Sequence, residues 1–228
     1  MTPSAFFIRS PFNRRFLAIN FIIIVALFLS FFFPRESSLE KLLAIFLILS
    51  VLPILFIRII LKEPFSSYGL TWGKKTLLFN IVSIFSATCI FAFFLWGFII
   101  HTDIGQEIAQ TSNVADTRKN FILFLLSVGS STWFLLQEEF FFRGFFLLTW
   151  KRFVGKKSLL LYIALTTTVL LLDLNIFFGE GKWTNMIIPF INSVFAALLS
   201  FITESIFVSF CFSLFSAILT MILFLIVL

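Results

Sequence analysis

The chain is written as apolar runs of about 20 residues separated by short polar connections, the length a helix needs to cross a hydrocarbon core. Inside lipid every backbone N–H and C=O must find its partner within the segment or in a closed barrel. The runs are continuous and do not alternate in the strand-length segments of about ten residues that a barrel requires. The expected fold class is therefore all-α, a polytopic transmembrane helix bundle of about seven spans, eight if a long segment is broken. Composition agrees. Of 228 residues 60% are hydrophobic and 12% charged, and mean hydropathy is +1.10. A soluble domain carries about 25% charged residues, so there is too little polar sequence here to coat a water-soluble globule.

The spans read as Phe16 to Phe33, Leu42 to Leu61, Thr76 to Ile100, Asn120 to Leu148, Ser158 to Phe178, Met186 to Ile202 and Ile206 to Leu228. Pro53 is expected to kink the second. Residues 1–15 form a basic lead and residues 16–228 a single membrane domain. Pro34-Arg35-Glu36 follows the first run in place of a small-residue cleavage site, so that run reads as a retained span. With the N-terminus inside, the inner segments hold Arg9, Arg14, Arg15, Arg58, Lys62, Lys74, Lys75, Lys151, Arg152, Lys156 and Lys157. The outer segments hold Arg35, Lys41, Arg118, Lys119 and Lys182. Eleven against five predicts a cytoplasmic N-terminus.

The net charge of +6 thus flanks spans and sets orientation. It points to membrane lipid as a partner and not to nucleic acid. The 37 Phe occur in nearly every span and read as lipid-facing or core filler. Cys89 and Cys211 lie within spans, with no disulfide or metal spacing. No cofactor and no metal is expected.

Four acids fall in or at the edge of spans: Glu138, Glu139, Asp173 and Glu204. A charge at the bilayer centre costs about 2.5–3.5 kcal/mol on insertion scales and faces the bundle interior or water. On a helix Glu139 and Arg143 are four apart, share a face and can pair. Glu138 points about 100° away. One carboxylate is then neutralised locally, and the other is free to face a cavity, where it suits general acid or base work. His101 reads as interfacial and Glu204 as solvated or capping. Thr166-Thr167-Thr168 reads as backbone back-bonding, and Asn80 and Asn192 as helix-packing glue.

The run Glu138-Glu139-Phe140-Phe141-Phe142-Arg143-Gly144 resembles the first motif of the CPBP family, the CAAX-prenyl-protease and bacteriocin-processing membrane proteins. That motif reads E-E-x-x-x-R. Tyr68-Gly69-Leu70 resembles the family's "GL" segment before a span. Pro189-Phe190-Ile191-Asn192-Ser193 and Thr203-Glu204-Ser205-Ile206 resemble the penultimate span and the turn after it. The likeness covers about Tyr68 to Ala217. It implies a membrane endopeptidase acting on a lipidated or membrane-bound peptide, placed in a bacterial cytoplasmic membrane. Glu138 would be the activating carboxylate, with Glu139 and Arg143 in support.

The family's two histidines and its Asn are missing. Val169 and Asp173 stand at the second motif, and Ser213 and Ala217 at the third. Two readings follow. In one, Glu138 and Asp173 share a proton and activate water, and Ser213 is a weaker oxyanion donor. In the other, the fold persists without catalysis, and the charged residues form a polar network that holds helices together or binds a partner. A transporter or proton path is the third reading, although no paired Gly/Pro-interrupted spans are present.

Overall fold

The computed structural model describes residues 11–32, 43–44, 46–73, 75–102, 129, 132–166 and 187–227. These are helical apart from short turns and connectors, with no strand among the described residues. The helices are α1 (Pro11–Phe32), α2 (Leu47–Leu61), α3 (Leu77–His101), α4 (132–154), α5 (158–166), α6 (Ile187–Thr203) and α7 (Ile206–Val227).

Local chemistry sets several ends. Thr76 has extended backbone, and its Oγ1 accepts the N–H of Phe79 at 3.3 Å, capping α3. Pro53 is taken up by a short α-helical stretch, Leu52–Leu55, with π-helical turns before and after it. The missing proline N–H thus sits where the helix changes its winding. α4 does not stop at Leu148 as the sequence suggests. It continues through Lys151 and Arg152 to Val154, where Gly155 takes a positive φ of 70°.

Two described helices are long and apolar enough to cross a membrane, Leu77–His101 and Ile206–Leu223. α2 and α6 are apolar but shorter, α6 having 17 residues. α3 buries Ala87, Phe91, Leu95 and Ile99, one stripe at four-residue spacing. Its other faces leave Leu78, Phe85, Ile90 and Phe93 exposed.

The buried side chains form two apolar clusters. One gathers α1, α2, Tyr68, the Phe140 to Leu148 stretch and Tyr162. The other lies between α3, α6 and α7, with Phe91, Phe195 and Phe212 in mutual ring contact. α1 is pinned to α4 by Trp150, whose Nε1 donates to Asn20 Oδ1 at 2.8 Å, and by Phe16 against Phe153.

The connector between α2 and α3 runs inward. Lys62 ends α2 in the left-handed region, φ 55°. Tyr68 is fully buried and stacks on Phe145. Its hydroxyl donates to Glu63 at 2.9 Å. Burial first, and the Glu63 carboxylate second, hold the phenol above its usual pKa. Tyr68→Phe is expected to destabilise by about 1.5 kcal/mol, the lower end for a hydrogen bond to a charged group, because Glu63 is partly solvated. Thermal unfolding in detergent checks this, and an unchanged midpoint would show that the contact contributes nothing.

Candidate functional site

Within α4 the residues Glu139–Leu148 are wound as a π-helix, with i→i+5 hydrogen bonding in place of i→i+4. Winding of this kind is frequent at functional sites. Here it carries most of the acidic-basic motif, and nearly every side chain in it is buried.

Glu139 is 1% exposed. Its Oε1 lies 3.6 Å from the Arg143 guanidinium and accepts the Ser213 hydroxyl at 2.8 Å. Arg143 also donates to Ser193 Oγ at 3.0 Å. One buried ion pair therefore joins α4 to α6 through Ser193 and to α7 through Ser213. The polar seam continues along the last two helices. The Ser216 hydroxyl lies 2.6 Å from Asn192 Oδ1 and 2.9 Å from the Ser213 carbonyl. Tyr162 approaches Ser193 from α5 without a well-formed hydrogen bond.

Glu138 differs from its neighbour. Its side chain is half-buried and takes no hydrogen bond or ion pair among the described residues. The i, i+4 spacing of Glu139 and Arg143 is matched by a contact of 3.6 Å. Ser213 falls on the held carboxylate, so its hydroxyl is already committed to Glu139. Ala217 lies one turn further along α7, half-buried. Asp173 and Val169 lie outside the described residues.

The segments that carry the sequence resemblance meet in space. Gly144 faces the backbone of Tyr68, and a Cβ at Gly144 would stand 2.6 Å from the Tyr68 carbonyl oxygen. The Gly69 carbonyl accepts the Ile206 N–H at 3.0 Å. Ser205 Oγ donates to the Thr71 carbonyl at 2.5 Å. Gly69 and Gly73 take φ of 79° and 86°, the region where glycine costs least. A Cβ on Gly73 would strike the Thr203 carbonyl. The connector is thus a strap laid between the charged motif and the α6–α7 turn. Lys151 closes that turn from α4, donating to the Phe201 carbonyl at 2.6 Å and pairing with Glu204 at 2.8 Å.

Several members of the site escape sequence reasoning. Ser193 and Ser216 are ordinary hydroxyls in apolar helices, and only their neighbour Asn192 reads as a packing residue. Gln137, just before the acidic pair, is 4% exposed, and neither amide atom is hydrogen bonded among the described residues. Its one signal is adjacency to the motif. Tyr162 carries a usable signal. The chain has 37 Phe and only 2 Tyr, so each hydroxylated ring marks a position where a polar group is wanted.

The chain matches no family model, no curated protein and no solved structure.

Proposed function

We propose that this chain is a membrane protein of about seven spans with a cytoplasmic N-terminus, and that it is an intramembrane endopeptidase of the CAAX-protease-like kind. Its substrate would be a lipidated or membrane-associated peptide. The observation that carries the reading is the contrast within the acidic pair. Glu139 is neutralised by Arg143 and Ser213, whereas Glu138 beside it is half-buried and unbonded among the described residues. A half-buried intramembrane carboxylate with no hydrogen bond among the described residues is costly, and intramembrane acids usually mark function.

In that role Glu138 takes a proton from water as the water oxygen attacks the peptide carbonyl carbon. The proton passes to the leaving amide nitrogen as the tetrahedral intermediate collapses, and one water is consumed. Asp173, at the position of a family histidine, would share the proton. Ser213 would stabilise the oxyanion only by giving up its bond to Glu139. That commitment favours the second reading, a catalytically inactive member whose polar network holds helices and binds a partner.

The test is cleavage of prenylated and unmodified peptides by purified protein in detergent or vesicles. Glu138→Gln is expected to lower the rate about 100-fold, within the range for loss of a general base. Asp173→Asn is expected to lower it as well. Both should leave thermal unfolding unchanged. Absence of cleavage by the wild type across the panel would favour the inactive scaffold. A Glu138-dependent ion flux in liposomes would sink both readings and favour a transport path.

A further inference from the structure

We infer that the end of the molecule around Glu63 is a binding site for anionic phospholipid, the charged head on a cationic patch and the chains on the apolar faces beside it. This rests on the membrane reading above and is independent of proteolysis.

Glu63 gathers cations from separate elements. Its Oε1 lies 3.4 Å from Arg15 on α1, and its Oε2 lies 3.4 Å from Arg152 on α4. The guanidinium of Arg152 rests over the Tyr68 ring at 4.9 Å, and that of Arg58 over Phe65 at 4.7 Å. These stacked guanidiniums are held in place with donors left over for an anion. Arg14 precedes Arg15, Lys62 precedes Glu63, and Lys156 and Lys157 follow at the turn after α4. Arg14, Arg58, Lys62, Lys156 and Lys157 are exposed and have no acidic partner among the described residues. Among the described residues two cations therefore pair with Glu63, and these five lie within five chain positions of Arg15, Glu63 or Arg152.

A soluble phosphate or a nucleic acid would need only the charge. Exposed apolar side chains also follow these cations closely in the chain: Leu17 and Phe21 after Arg15, Ile59 and Ile60 after Arg58, and Leu160 after Lys157. Charge and exposed apolar side chains thus stand next to each other along each of these segments, which is the chemistry of a phospholipid and not of a free anion. Clusters of four to eight Lys/Arg beside membrane helices have this preference generally.

The probe is phosphatidylglycerol against phosphatidylcholine, offered to the purified full chain in mixed micelles and in vesicles. Native mass spectrometry should show phosphatidylglycerol retained in preference to phosphatidylcholine by about tenfold. The unfolding midpoint should rise in phosphatidylglycerol and not in phosphatidylcholine. The quadruple variant Arg58→Gln, Lys62→Gln, Lys156→Gln, Lys157→Gln, which spares both Glu63 pairs, should lose that preference and keep its midpoint in phosphatidylcholine. Should it fail to fold, the paired variants Arg58→Gln with Lys62→Gln and Lys156→Gln with Lys157→Gln should each reduce the preference. Equal retention of the two lipids by the wild type would overturn the proposal. So would an equal midpoint rise with inorganic phosphate, or displacement of the lipid by short single-stranded RNA. A chain that stays in water without detergent would instead remove the membrane reading beneath it.

Discussion

Arg143→Met is expected to destabilise the folded protein by about 3–5 kcal/mol, because it strands a buried carboxylate. Glu139 is 1% exposed, and Arg143 is its nearest cation at 3.6 Å. The Ser213 hydroxyl would remain, and one neutral donor does not replace a charge. The same change frees Ser193, so α4 loses one of its hydrogen bonds to α6 as well as its neutral pair. Removing both charges is a different case. Buried pairs replaced together by residues of similar volume are often neutral or stabilising. Arg143→Met combined with Glu139→Gln should therefore recover at least half of the loss. Reversible unfolding in mixed detergent measures all three variants and closes the double-mutant cycle. A single Arg143→Met that costs under about 1 kcal/mol would mean that the pair is solvated, since exposed pairs are worth only that much.

Gly144→Val is the second large effect, expected to exceed the ~1–3 kcal/mol of ordinary overpacking. The atom in the way is the Tyr68 carbonyl oxygen, 2.6 Å from the new Cβ. It belongs to backbone and cannot rotate aside like a side chain. The neighbouring Gly69 carbonyl is bonded to Ile206, so moving the strap breaks its seat on α7. Gly144→Ala should cost about 1–3 kcal/mol for the same reason. Gly97 supplies the control. It lies in α3, where a Cβ added to it would meet nothing within 4 Å, and Gly97→Ala should be neutral or gain up to about 1 kcal/mol of helix propensity. If Gly144→Ala behaves like Gly97→Ala, the close approach of strap and motif is not real.

How much of this is legible in the residues depends on whether the signal is local. Helix type and ends are legible because they follow from apolar period and capping. The third run falls within a residue of α3, and Thr76 is its cap. The pairing of Glu139 with Arg143 is legible because four-residue spacing brings such groups together whether the turn is α or slightly wider. The widening itself is not legible, since no residue type in Phe140 to Leu148 demands π winding. Continuation of α4 past Leu148 is hidden too. Lys151 and Arg152 look like a loop by charge, yet Lys151 is satisfied by the α6–α7 turn and Arg152 by Glu63 and Tyr68. The partners of Arg143 and Glu139 in later helices lie at distances of 50 and 74 positions. Nothing local to Ser193 or Ser213 announces a guanidinium or carboxylate so far away in the chain.

The two apolar clusters have a mechanical consequence. One is built on α1, α2 and the Phe-rich part of α4 and reaches Ala197 on α6 and Ile206 on α7; the other is built on α3, α6 and α7. The hydrogen bonds from Ser213 to Glu139 and from Arg143 to Ser193 tie α4 to α7 and α6 alongside these apolar contacts. α6 and α7 therefore take part in both clusters, and the polar seam runs beside apolar contacts and strap hydrogen bonds that cross in the same direction. A force that prises the acidic motif from α6 and α7 would have to open the first cluster at Ala197 and Ile206 as well as break the polar seam.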